Sequence, residues 1–175
     1  FELRTTSTPP LTEIPSSLNP EMEEKLWEEV RSKTAQEVLL PVPECFPKLV
    51  LPTFFVHQNN KWRMIYNAKF FNIYSALSTF KLTTAQKMLG LFKTDGLFIS
   101  FDLTSGYSPV RLHLNSMRYC CIRAKDPKTG KWRYFSFTGL PFGLSPAPWI
   151  FQKFLSVLRN YLGKAFVVVQ FLDDF

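Results

Sequence analysis

No apolar run in this sequence is long enough to cross a bilayer. The most apolar stretch, Ala165 to Leu172, falls well short of the roughly 20 residues a membrane helix needs. The first residues have neither the basic start nor the apolar middle of a signal peptide. Membrane residence is therefore not expected. Cysteine is scarce: there are three, and two of them, Cys120 and Cys121, are neighbours. That pattern suits neither a zinc-ligand spacing nor a secreted disulfide framework, and points to a reducing, intracellular compartment. Acidic residues are outnumbered, 14 against 21 Lys and Arg, leaving a formal charge of +7. Such an excess draws in phosphate backbones or anionic surfaces, although ordinary solubility would account for it equally. There is no internal repeat. The start at Phe1 rather than Met, and the stop directly behind an apolar run, suggest a piece of something longer.

What is present is a globular composition, 46% hydrophobic over 175 residues, enough for one substantial core. Residues 1–20, rich in Thr, Ser and Pro, predict an extended lead-in with no helix or strand of its own. From Pro20 the acids Glu21, Glu23 and Glu24 and the spacing of Met22, Leu26, Trp27 and Val30 predict an amphipathic helix. A Pro-punctuated segment then leads to Thr53–His57 and Trp62–Tyr66, two apolar runs around Gln58 to Lys61 that read as a hairpin. Thr83 is placed to cap a short helix carrying Met88, Leu89 and Phe92, with Gly96 closing the following turn. Leu97, Ile99 and Phe101 alternate with Phe98, Ser100 and Asp102, which predicts a strand ending at Asp102. Arg118–Arg123 and Trp132–Phe137 flank Asp126 to Gly130 as a second hairpin. Ser145 as cap, Pro146 in the first turn, and Ile150, Phe151, Phe154, Leu155, Leu158 and Leu162 on one face predict a helix stopped by Gly163. A last strand, Ala165 to Phe171, precedes Asp173 and Asp174. Helices and strands sharing one core make the class α+β.

Carboxylates at the ends of separate strands are what nucleotidyl transfer asks for. Two Mg²⁺ ions about 3.5–4 Å apart neutralise the attacking and leaving oxygens in many polymerases, and hard ions take oxygen ligands while keeping waters and substrate phosphates. Asp102 and the pair Asp173 and Asp174 follow that pattern. Taken alone, an Asp-Asp pair behind an apolar strand is more often a solvated turn than a metal site.

Three stretches in order remove that anonymity: Phe101-Asp102-Leu103-Thr104-Ser105-Gly106-Tyr107, Leu140-Pro141-Phe142-Gly143-Leu144-Ser145-Pro146-Ala147-Pro148, and Phe171-Leu172-Asp173-Asp174. They resemble the three core palm motifs of retroelement reverse transcriptases, and Lys61-Trp62-Arg63-Met64-Ile65 followed by Asn72 resembles the fingers segment. The resemblance runs from about Pro41 to Phe175. Leu-Pro-Phe-Gly-Leu resembles gypsy-type, DIRS-type and pararetroviral enzymes more than orthoretroviral ones, and Asp126 to Gly130 with the Ser-Pro-Ala-Pro-Trp continuation leans to the DIRS type.

The resemblance implies a right-hand polymerase: fingers at 21–79 and 110–146, a partial palm at 80–109 and 147–175 with an antiparallel sheet packed on helices, and the thumb beyond Phe175. It implies RNA-directed DNA polymerase activity with two Mg²⁺ or Mn²⁺ ions, a primed RNA or DNA template and deoxynucleoside triphosphates, in a cytoplasmic particle or the nucleus. Without a thumb, the segment alone is expected to be inactive. By position, Asp102 and Asp173 would be the principal metal ligands, Asp174 a supporting carboxylate and the Leu103 carbonyl a further ligand. Arg63 and Lys61 would hold the triphosphate. Tyr107 would stack under the sugar and exclude a 2′-hydroxyl, and Phe142 and Gly143 would shape the nucleotide pocket. Leu172 would meet the primer end, and Lys81 and Lys87 would approach duplex phosphates. As plain sequence, Tyr107 is equally a core tyrosine, Arg63 a surface hairpin residue and the lysines a solvated helix face. The departures are Gln58, Asn59 and Asn60 where many relatives carry a lysine, Phe171 for the commoner tyrosine, and Ser108-Pro109 after Tyr107. The alternative function is a domesticated, non-catalytic nucleic-acid-binding module.

Overall fold

A computed structural model of the chain describes residues 1–10, 12–13, 18–76, 83–91, 96–101, 103 and 106–172. The N-terminal segment is docked rather than loose. Leu3 is buried, its N–H donates to Ser116 Oγ at 2.8 Å, and Thr5 bridges Ser75. Strand β1 (Thr12–Glu13) then pairs in parallel with residues 49–50. The expected lead-in without a strand is thus corrected: one buried leucine and a few ladder bonds anchor a segment whose Pro and Ser content forms no local structure.

Helix α1 (Pro20–Ala35) begins as its sequence predicts, with Asn19 Oδ1 accepting the Met22 N–H at 2.8 Å and Pro20 in the first turn. Leu26 and Val30 are buried, and Trp27 meets Phe135 edge-on at 6.2 Å. Two short strands that periodicity could not reveal follow, β2 (Leu39–Val42) and β3 (Leu49–Val50). Pro41 sits in β2, which is an edge strand, where a missing N–H breaks no ladder bond.

The hairpin forms where expected, as β4 (Thr53–Gln58) and β5 (Lys61–Tyr66), a separate two-stranded sheet with Gln58 opposite Lys61. Asn59 and Asn60 have φ of 52° and 57°, the left-handed pair that a two-residue type I′ turn requires and that asparagine tolerates. Helix α2 (Lys69–Tyr74) buries Phe71 completely. In α3 (Ala85–Leu89) the cap is Thr84, not Thr83, and the helix ends at Gly90; Phe92 lies outside the described residues.

The strand predicted over 97–102 is not there. Residues 96–101 have no regular structure, and Ile99 is 83% exposed. Asp102 itself lies outside the described residues. Alternation supplies a face to bury, but a strand exists only through a ladder, and the five-stranded sheet already has β1 and β2 at its edges. The run 165–171 likewise carries only an isolated bridge position at Phe171.

The turn that follows helix α4 (Leu114–Met117) takes Arg118 to Cys120, which were expected in a strand, so β6 (Cys121–Lys125) starts later than predicted, before β7 (Trp132–Phe137). Their hairpin turns on Asp126, whose carboxylate accepts the Lys128 N–H at 2.9 Å, and on Gly130 at φ 67°. The sheet order is β1-β3-β6-β7-β2. The β2, β7 and β6 pairings are antiparallel, whereas β1–β3 and β3–β6 are parallel and were not anticipated.

Helix α5 (Ala147–Leu162) has Pro146 rather than Ser145 at its N-cap position, with no side-chain capping bond, Pro148 in its first turn and Gly163 at its end. Ile150, Phe151 and Leu155 are buried; Phe154, expected on that face, is largely exposed. The α+β class stands, with one core of α1, the sheet, α2 and α5 around Leu39, Leu49, Phe71, Ile122 and Phe151. No helix among the described residues is long and apolar enough to cross a membrane.

Candidate functional site

Tyr107 and Phe142 come from different motifs and meet in space. Their ring centroids lie 4.6 Å apart at 55°, and Tyr107 stacks on Phe151 of α5 at 4.4 Å and 22°. Tyr107 is 7% exposed, wedged between its two neighbours, whereas Phe142 is 55% exposed. The pair is a wall with one packed side and one open side. Gly106 is tight against the same wall, since a Cβ there would come within 2.6 Å of Phe151 Cζ. Leu103 is half-buried against the core.

The turn bearing Phe142 is held by side chains from far along the chain. The Phe142 N–H donates to Tyr66 Oη at 2.9 Å, Asn72 Nδ2 donates to the Gly143 carbonyl at 2.9 Å, and the Ser145 N–H donates to Asn72 Oδ1 at 2.8 Å. Gly143 has φ 87°, a conformation that favours glycine, and a Cβ there would stand 3.6 Å from the Tyr66 carbonyl. Burial pushes the Tyr66 hydroxyl up to about 12, against the lowering effect of the Phe142 N–H, so it stays neutral.

Tyr66 ends β5, the strand that carries Lys61, Trp62 and Arg63. Arg63 is three residues earlier, about 10 Å along the strand at 3.3 Å per residue. Alternation puts Lys61 and Arg63 on the face opposite Trp62, Met64 and Tyr66. Both cations are exposed, and among the described residues no carboxylate pairs with either. Trp62 packs instead, with the His57 ring 4.9 Å away and Lys25 Nζ 5.3 Å over its face.

At the other end of the chain Leu172 has φ 56°, left-handed and costly for a branched side chain. Gln170, 2% exposed, donates its Nε2 to the Leu172 carbonyl at 3.2 Å, while its Oε1 is buried with no partner among the described residues. Lys87 is exposed on α3. Asp102, Asp173, Asp174 and Lys81 lie outside the described residues, so the donor set expected for a metal rests on its chemistry alone. Three carboxylates and the Leu103 carbonyl are hard oxygen donors, fit for Mg²⁺ or Mn²⁺. No cluster of three His, Cys, Asp or Glu among the described residues offers a competing site.

A cleft of about 710 Å³ runs along the outer side of α5 past Phe154, Val157 and Tyr161 and shares no residue with the Tyr107–Phe142 wall. That cleft offers apolar surface without convergent polar groups. Two residues, Tyr66 at the Phe142 turn and Gln170 beside Leu172, escaped the sequence reading. Tyr66 had no local signal; Gln170 had one, a single amide inside an apolar run.

A family model described as "Reverse transcriptase (RNA-dependent DNA polymerase)" matches residues 56–175. The chain is similar to the "Enzymatic polyprotein" of Cestrum yellow leaf curling virus, 30% identical over 128 residues, covering 70% of the chain and 19% of that protein. It is also similar to the "Enzymatic polyprotein" of Figwort mosaic virus (strain DxS), 26% identical over 165 residues, 91% of the chain and 23% of that protein. A third relative, the "Retrovirus-related Pol polyprotein from transposon opus" of Drosophila melanogaster, is 27% identical over 115 residues, 65% of the chain and 11% of that protein. The chain spans about a fifth of the length of the two viral relatives.

Proposed function

The chain belongs to the reverse transcriptase (RNA-dependent DNA polymerase) family, and from that premise we propose that it supplies the fingers and most of the palm of a polymerase that extends a primer on an RNA or DNA template. The observation that carries this reading is the meeting of the first and second motifs, Tyr107 against Phe142 at 4.6 Å, beside a strand that presents two exposed cations.

In the proposed reaction the primer 3′-oxygen bonds to the α-phosphorus of a deoxynucleoside triphosphate, the bond to the bridging oxygen breaks, and pyrophosphate leaves. Arg63, planar and always charged, grips the triphosphate oxygens with Lys61 beside it. The Tyr107 ring supports the sugar and leaves no room for a 2′-hydroxyl, and Phe142 and Gly143 bound the base side of the pocket. Leu172 meets the primer terminus, and Lys81 and Lys87 lie along duplex phosphates. Asp102, Asp173, Asp174 and the Leu103 carbonyl would hold two divalent ions, which would supply charge neutralisation at the attacking and leaving oxygens. The division into fingers at 21–79 and 110–146 and palm at 80–109 and 147–175 belongs to the same proposal.

The test is primer extension on an RNA template, with Mg²⁺ and deoxynucleotides, by a longer protein containing these residues beside its Asp173→Asn variant. Synthesis lost only in the variant supports the assignment. A folded protein that binds nucleic acid in a salt-dependent way without extending the primer would replace it with a non-catalytic binding module. Tyr107→Val, which leaves a smaller cavity beside Phe151 than alanine would, should relax discrimination against ribonucleotides; unchanged selectivity removes the gate role.

A further inference from the structure

The fingers-like motif includes Asn72, and nothing in the proposed chemistry uses it. Its side chain does something specific: one planar amide donates to the Gly143 carbonyl and accepts from the Ser145 N–H, at 2.9 and 2.8 Å. Tyr66 adds a third bond from the same stretch of chain, accepting the Phe142 N–H at 2.9 Å. Three backbone groups of the 142–145 turn are therefore satisfied by two side chains that are remote in sequence. The turn needs them, because a left-handed Gly143 places no constraint of its own on where the exposed Phe142 ring goes.

Asparagine carries both the donor and the acceptor on one short planar amide. Aspartate keeps an acceptor for Ser145 but cannot donate to Gly143, and alanine does neither. At position 66 the ring is fixed independently, tilted on Phe137 at 4.8 Å, so its hydroxyl is presented from a rigid strand end. The consequence reaches Tyr107, since Phe142 rests on that ring and Tyr107 in turn rests on Phe151.

We propose that Asn72 and Tyr66 form a latch between the β5–α2 segment and the 142–145 turn, and that the latch sets nucleotide affinity and sugar selection by holding Phe142 against Tyr107. Both are positioning residues. The proposal rests on the reading of the Tyr107–Phe142 wall as the nucleotide pocket.

The test uses the complete polymerase with Asn72→Ala and Tyr66→Phe, the second keeping the ring on Phe137 and removing only the acceptor. Steady-state primer extension gives KM for the deoxynucleotide, kcat and the deoxy-to-ribo selectivity; primer–template affinity and Tm are measured alongside. The latch predicts a KM raised about tenfold in Asn72→Ala, which loses two hydrogen bonds, and about threefold in Tyr66→Phe, which loses one, since their free energies add and the fold-changes multiply. Selectivity should fall in both, with kcat and primer–template affinity within twofold. Unchanged KM and selectivity in both variants, while Tyr107→Val alters selectivity, would overturn the latch and leave the pocket standing. Loss of kcat and Tm together at constant KM would make the two residues merely structural and overturn it equally. If the parent protein synthesises nothing, the pocket reading and the latch fall together.

Discussion

Gly139→Ala is the substitution whose cost follows most directly from the geometry. Gly139 bridges Arg111, and around it the Leu112 N–H donates to the Thr138 carbonyl at 3.0 Å and the Leu140 N–H to the Val110 carbonyl at 2.9 Å. A Cβ on residue 139 would run into the Ser108 carbonyl oxygen and lie 2.8 Å from the Ser108 carbonyl carbon and 3.0 Å from its Cα. These are backbone atoms, so no rotamer relieves the overlap, and the two segments must separate. Overpacking of this kind costs about 1–3 kcal/mol, and the two flanking hydrogen bonds add about 1 kcal/mol each. A loss of about 3–5 kcal/mol in a protein of this size lowers Tm by about 10 °C. Ser108 follows Tyr107, so the same displacement should pull Tyr107 away from Phe142. The assay is thermal unfolding followed by far-ultraviolet circular dichroism, with Gly90→Ala as the control. At Gly90 an added Cβ meets only carbonyl oxygens at 3.6 and 3.7 Å, ordinary contact, and Tm should barely move. Equal Tm values for the two variants would refute the steric argument.

Three further outcomes are expected. Stability should fall from about pH 9 upward: burial raises Cys121 from 9.0 to about 12 and Tyr66 from 10.0 to about 12, and pushes Cys120 up as well, so the unfolded chain releases protons that the folded one keeps; a flat urea midpoint between pH 8 and 11 would contradict it. Asn19→Ala should cost about 1 kcal/mol by leaving the Met22 N–H without its acceptor, read as a shifted urea midpoint at constant slope. Asp126 is held below the usual carboxylate range chiefly by the Lys128 N–H. Its contribution is present above the ordinary value of 3.8 and lost as pH falls through the lowered folded value, so Asp126→Asn should flatten the acid limb of the stability profile, and an unaltered limb would count against this account.

The β4–β5 hairpin, α1 and most of α5 were legible in the sequence because their determinants are local. Two asparagines at a tight turn, Pro20 followed by acidic residues in a first helical turn, and apolar residues at helical spacing act within a few positions of one another. The identities of Tyr107, Phe142 and Arg63 as site candidates were likewise carried by short motifs. Strand β2 exists because Leu39 to Val42 finds β7, and β1 because it finds β3; neither carries enough residues to announce a period. Conversely, 97–101 alternates as a strand should and is not one, since alternation describes a surface while a ladder requires a partner. The same distinction governs the site. The sequence by itself determined which groups are available, an aromatic, a glycine, two cations and an amide. Only the tertiary structure decided that the Asn72 amide and the Tyr66 hydroxyl would close on the 142–145 turn, because a side-chain hydrogen bond between distant residues is chosen by the packing that brings them within 3 Å.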